Sequence, residues 1–162
     1  FMIGATGNDR SGSNAGAVYL ISGGDLSPFA TIPLDNADWI LVGEATGDRA
    51  AMDLDSAGDV DGDGRGDIVV GAPNNDAGGS TTGRTYLVLG YYLPSGGVMG
   101  LDEAAYTFTG ENTSDSSGSS VGGGGDVDND GLDDLLINAP LNDDGGDESG
   151  KVYLLVSPSI FD

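Results

Sequence analysis

Two stretches of this chain concentrate carboxylates at a spacing that suits a hard divalent cation. Asp59-Val60-Asp61-Gly62-Asp63-Gly64-Arg65-Gly66-Asp67 puts acids at positions 1, 3, 5 and 9 of a loop. Asp126-Val127-Asp128-Asn129-Asp130-Gly131-Leu132-Asp133-Asp134 does the same with Asp126, Asp128, Asp130 and Asp134. Calcium takes about six to eight oxygen ligands in a flexible shell, and alternating acids on a tightly wound loop deliver them to one point. Gly64 and Gly131, at position 6, allow the sharp turn, and the backbone carbonyls of Arg65 and Leu132, at position 7, are neutral ligands. The bland reading is an acidic surface turn. Four carboxylates in nine residues repel one another without a cation, so the expectation is two calcium sites, one per loop.

These loops are not EF-hands. That loop closes with a bidentate Glu at position 12 and lies between helices. Position 12 here is Val70 in one loop and Ile137 in the other, each inside a β-type apolar run. The last acid falls at position 9, so the chain is expected to turn from strand to strand.

The elements that hold the loops recur with a period of 67 residues. Gly4-Ala5, Gly71-Ala72-Pro73 and Asn138-Ala139-Pro140 superimpose, as do Asn8-Asp9, Asn75-Asp76 and Asn142-Asp143. Gly16-Ala17-Val18-Tyr19-Leu20 falls on Gly83-Arg84-Thr85-Tyr86-Leu87 and on Gly150-Lys151-Val152-Tyr153-Leu154. Trp39 falls on Tyr106, Gly43-Glu44 on Gly110-Glu111, and Gly58-Asp59 on Gly125-Asp126, with no gap anywhere. Within one period the signals are all β. Apolar or alternating runs lie at 68–70, 85–89, 39–42 and 106–109, weaker ones at 51–56 and 119–123, with turn-rich stretches such as 74–83 between them. Four short strands form an antiparallel sheet that cannot bury both faces alone, and stacking such sheets radially gives a propeller.

In these residues the chain resembles the FG-GAP repeats, the blades of integrin α-subunit propellers and of many bacterial surface proteins. The resemblance rests on the calcium loop, the Gly-Ala-Pro or Asn-Ala-Pro after it, and the Gly-x-Val-Tyr that follows. It implies an all-β fold of four-stranded antiparallel blades, about two and a half of them present. Residues 1–48 would be strands 2–4 of one blade, 49–115 a complete blade with calcium loop 59–67, and 116–162 most of a third with loop 126–134. It implies that each loop joins a blade's first and second strands, with Asp59, Asp61, Asp63, Asp67, Asp126, Asp128, Asp130 and Asp134 as side-chain ligands. Two features depart from the family. The Phe-Gly that names it is replaced by Ala50-Ala51 and Ser117-Gly118, and the first strand of the central blade, Ala51-Met52-Asp53-Leu54-Asp55, is unusually acidic. The family closes about seven blades into a ring, so the rest of the ring would come from chain beyond this excerpt or from other copies, unless the blades form an open array.

Composition narrows the function. With 27 acidic residues against 5 basic ones, the net charge of −22 excludes nucleic acid, which needs a basic surface, and disfavours an anionic membrane. No apolar run approaches a membrane span. Without His or Cys, nucleophile–base pairs built on those residues are unavailable, and Asp143-Asp144 and Asp147-Glu148 lie in a Gly-rich loop with no apolar wall to raise a pKa. The chain is therefore read as non-catalytic. Arg65-Gly66-Asp67 spells an adhesion tripeptide, but Asp67 is needed as a ligand. Asn112-Thr113-Ser114 is a glycosylation sequon in a polar, Ser-rich loop. Tyr19, Tyr86, Tyr153 and Trp39 suit packing between blades better than a sugar platform, because they recur at blade spacing.

The ends, Phe1-Met2-Ile3 and Ile160-Phe161-Asp162, read as cut from something longer. The expectation is an extracellular or cell-surface structural or adhesion module locked by two calcium ions, as a segment of a longer surface or fibre protein. Its neighbours would be further blades or identical chains. The alternatives are a propeller that binds a protein or glycan ligand, and an accessory domain of a secreted enzyme.

Overall fold

The computed structural model describes residues 1–25 and 31–157; Ile160-Phe161-Asp162 lie outside these. Among the described residues, eleven strands and four short 3-10 turns make up the regular structure. The strands are β1 (Met2–Ala5), β2 (Ala17–Leu20), β3 (Trp39–Val42), β4 (Asp53–Gly58), β5 (Asp67–Ala72), β6 (Arg84–Val88), β7 (Gly97–Gly100), β8 (Tyr106–Thr109), β9 (Ser120–Gly125), β10 (Asp134–Ala139) and β11 (Lys151–Leu155). They form three sheets, ordered β1-β2-β3-β7, β4-β5-β6-β8 and β11-β10-β9. The central sheet is antiparallel throughout.

The apolar runs at β5 and β6 become strands buried on both sides, because a sheet lies against each face. Val70, Tyr86 and Val88 pack toward Val18, Leu20 and Leu41 of the first sheet. Val69 and Leu87 pack toward Val121 and Leu135 of the third. Consecutive residues thus serve opposite interfaces, the period-2 logic of a strand, and each fully buried Val or Leu contributes about 1.5–3 kcal/mol.

A polar seam reinforces each interface. Asn75 Nδ2 donates to Asp48 Oδ2 (2.7 Å) and the Tyr86 hydroxyl donates to Glu44 Oε2 (2.9 Å), which also pairs with Arg84 (2.7 Å). One period on, Asn142 donates to Asp115 (2.8 Å) and Lys151 pairs with Glu111 (2.7 Å). The backbones approach so closely here that only glycine fits at two positions. A Cβ on Gly71 would lie 2.0 Å from the Gly118 carbonyl, and one on Gly83, at φ +84°, would lie 2.1 Å from that of Ser117. This accounts for the glycines that open the Gly-Ala-Pro and Gly-x-x-Tyr segments of the central repeat.

Three features differ from the sequence expectation. The inner strands begin later than 51 and 119, at Asp53 and Ser120, because Ala51 (φ +64°) and Gly118 (φ +82°) hold a left-handed turn first. The acidic character of β4 has a use. Asp53 Oδ2 accepts from Ser120 Oγ (2.8 Å) and Val121 N (2.9 Å), tying one inner strand to the next. Finally, the strands are not all antiparallel. β7, in the connection between β6 and β8, reaches back and pairs parallel with β3. Trp39 Nε1 donates to the Pro94 carbonyl (2.6 Å) and Gly97 N to that of Asp38 (2.9 Å). Sequence reading missed β7 because Gly-Val-Met-Gly is too short and glycine-flanked to register as a strand.

Candidate metal centre

Each carboxylate loop connects an inner strand to its neighbour, β4 to β5 and β9 to β10. Side-chain turns wind the first loop. Asp59 Oδ2 accepts from Gly64 N (2.9 Å), Asp61 Oδ1 from Asp63 N (3.1 Å) and Asp63 Oδ1 from Arg65 N (2.8 Å). In the second loop Asp126 accepts from Asp130 N (3.0 Å) and Gly131 N (2.9 Å), and Asp130 from Leu132 N (2.9 Å). Gly64 and Gly131 sit at φ +83° and +96°, conformations that an L side chain rarely adopts.

The winding brings Asp59, Asp61 and Asp63 together, and likewise Asp126, Asp128 and Asp130. In each triad one carboxylate oxygen per residue lies within 4.8 Å of the others. The donors are all hard oxygens, as calcium prefers. The Asp59 Oδ1 atom is buried and has no hydrogen-bond partner. A buried carboxylate oxygen left unmatched is costly, and a cation at the centre of the triad would satisfy it. The residues therefore fit a calcium ion.

Asp67 and Asp134 do not join the triads. Both are buried. Asp67 Oδ2 accepts from Val60 N (2.9 Å) and Oδ1 from Gly90 N (2.8 Å). Asp134 makes the matching bonds with Val127 N (2.8 Å) and Ser157 N (2.9 Å). Each position-9 carboxylate thus braces its loop against the chain that follows the sheet's third strand. Burial raises the Asp67 carboxyl above its ordinary value, opposed by its two amide bonds and reinforced by Asp61 and Asp59. Because Asp67 is enclosed, the Arg65-Gly66-Asp67 tripeptide does not present its carboxylate to solvent. Val70 and Ile137, the two position-12 residues, are buried within β5 and β10.

Sequence reasoning missed one residue at this site. Asp133 Oδ2 accepts from Asp59 N (2.8 Å), and Asp133 N donates back to the Asp59 carbonyl (3.2 Å). The second loop is thereby docked on the first, with Leu132 against Gly62. The signal was visible, since Asp133 is an extra acid where the first loop has Gly66. The loops also differ in how they meet the core. Val60 is buried, while its counterpart Val127 is exposed.

Other singled-out residues lie elsewhere. Asn112 is exposed, and its backbone N–H donates to Asp115 Oδ2 (3.1 Å). Asp143, Asp144, Asp147 and Glu148 are exposed, and the Lys151 ammonium holds the Asp144 carboxyl below its usual value. Tyr86 is buried in the seam between two sheets, Tyr19 is buried in its own cluster, and Trp39 packs partly against the core.

The FG-GAP repeat model matches residues 55–88 and 117–155, and each match spans one carboxylate loop with the strands on either side. No curated protein matches the chain significantly.

Proposed function

Since this chain carries FG-GAP repeats, typically non-enzymatic structural or binding modules of extracellular proteins, we propose that it is a calcium-locked structural or adhesion module of the cell exterior. The observation that carries the reading is the buried, unpartnered Asp59 Oδ1 within a triad that recurs one period later. Asp59, Asp61, Asp63, Asp126, Asp128 and Asp130 would supply carboxylate ligands, and Arg65 and Leu132 their carbonyls. Asp67 and Asp134 would brace the loops and join the shell if the metal draws them inward. The blades would fall at 1–48, 49–115 and 116–162.

The partners in this reading are further blades or identical chains. Leu136, Val152 and Leu154 of the third sheet are exposed, whereas Val69, Thr85 and Leu87 at the same repeat positions of the central sheet are buried. An added blade on that face would repeat an interface the molecule already makes. Among the described residues no helix is long and apolar enough to cross a membrane.

Calcium removal tests the proposal. Extracellular modules bind calcium with dissociation constants of about 10⁻⁴ to 10⁻³ M. At about 1 mM calcium, two such sites contribute roughly 1–3 kcal/mol to folding. For a chain of this size that corresponds to about 2–10 °C in melting temperature. Calorimetry in calcium and in excess chelator is expected to differ by that amount, and coincident melting curves would reject the proposal.

A further inference from the structure

Beside the first carboxylate loop lies an open cleft of about 460 Å³, lined by Asp61, Asp63, Tyr91, Tyr92, Glu103 and Tyr106 among others. Next to the loop it is walled by the 3-10 turn Gly90–Tyr92, which the Asp67–Gly90 hydrogen bond pins to the loop. Tyr91 and Tyr92 are 63% and 61% exposed and stack edge to face, with ring centroids 5.4 Å apart.

These two rings are not blade packing. The tyrosines of the seams recur every 67 residues, but the positions 67 before Tyr91 and Tyr92 hold Gly24 and Asp25, and those 67 after hold Pro158 and Ser159. An aromatic pair confined to one repeat and left in water marks a surface made for contact. The Tyr91 ring already holds a cation of the chain itself, with the Arg65 guanidinium carbon 5.5 Å from its centroid, which leaves the Tyr92 ring for a second one. Cations over tyrosine faces are attracted by the ring quadrupole. The carboxylates around them only accept hydrogen bonds, and ammonium and guanidinium groups only donate.

We propose that the cleft between loop 59–67 and the Gly90–Tyr92 turn binds a basic side chain, lysine or arginine, of a partner protein. Asp61 and Asp63 are committed to the metal in the calcium reading, whereas Tyr91, Tyr92 and Glu103 are not, so in the calcium-loaded chain these three carry the contact and the two ideas fail separately.

The test is an NMR titration of the calcium-loaded full chain with Nα-acetyl-arginine methylamide, with the citrulline analogue and a methyl glycoside as neutral controls. The Gly64 and Gly131 amides report calcium loading; the Tyr91 and Tyr92 ring signals report the cleft. Saturable shifts of those rings are expected with the arginine compound alone. Tyr92→Ala and Glu103→Gln, both at exposed positions, are each expected to weaken binding about three- to thirtyfold while leaving the remaining spectrum in place. Equal shifts with citrulline or the glycoside would overturn the proposal. So would shifts spread over the acidic surface and unchanged in Tyr92→Ala, since these would mark counterion binding only.

Discussion

Asp48 is buried and Asp59 buries one of its two carboxylate oxygens, and the two residues differ in what meets them. Asp48 receives Asn75 Nδ2 and the Ala45 amide, while Asp59 keeps one oxygen unmatched. Burial raises the Asp48 carboxyl above its ordinary 3.8, against the pull of Asn75 and Ala45 and with help from Glu44 and Asp76. Between that ordinary value and the raised one, the folded chain holds a proton that the unfolded chain has released. The Asp48 contribution to stability therefore falls as pH rises through that window. Asp48→Asn offers an oxygen to the same two donors without the charge. It is expected to flatten this part of the pH profile and to hold neutral-pH stability within about 1 kcal/mol of the parent or above it. Urea midpoints across a pH series, in chelator to isolate the effect from calcium, check this. For Asp59 the expectation is the reverse. Asp59→Ala should remove most of the calcium-dependent stabilisation of its loop, read as a smaller melting-temperature difference between calcium and chelator.

Among elements, the instructive pair is the two carboxylate loops. They share one sequence pattern but have different surroundings, because Asp133 and Leu132 of the second loop cover the first. Docking preorganises the 59–67 loop, and a preorganised site spends less of its binding energy on ordering. Loop 59–67 is therefore expected to bind calcium more tightly than loop 126–134. Asp133→Ala should narrow the gap by weakening the first site about two- to tenfold, the worth of one charge-assisted hydrogen bond in a partly solvated place. Calorimetric titration resolving two sites would test this, and an unchanged first site would show that the docking contributes nothing. β7 makes a related point, since an extension of the central repeat supplies the fourth strand of the first sheet. Neighbouring repeats are thus held by shared backbone hydrogen bonds as well as by apolar packing.

Across the whole molecule the dominant facts are charge and repetition. A net charge of −22 opposes the compact state, and calcium and salt both relieve that repulsion. If screening alone stabilised the fold, sodium chloride at matched ionic strength would replace calcium. The triads predict that it does not, and melting curves in the two salts decide between them.

Much of this was legible in the residues alone. The 67-residue period, the all-β character and the two carboxylate loops follow from local properties: alternation sets a strand, glycine permits a left-handed turn, and acids two apart on a tight loop converge. The same spacing pointed to Tyr86 in the seam between sheets, whereas Tyr19, one repeat earlier, lies in a cluster of its own sheet. Three features rested on contacts between residues far apart in the chain. These are the bonds by which Asp67 and Asp134 hold Gly90 and Ser157, 23 residues on, the reach of Asp133 across 74 residues to Asp59, and the parallel addition of β7 to β3. A carboxylate's neighbours in sequence say which groups it can reach by turning. Which group it bonds depends on what the packed sheets bring beside it, and only the tertiary structure decides that.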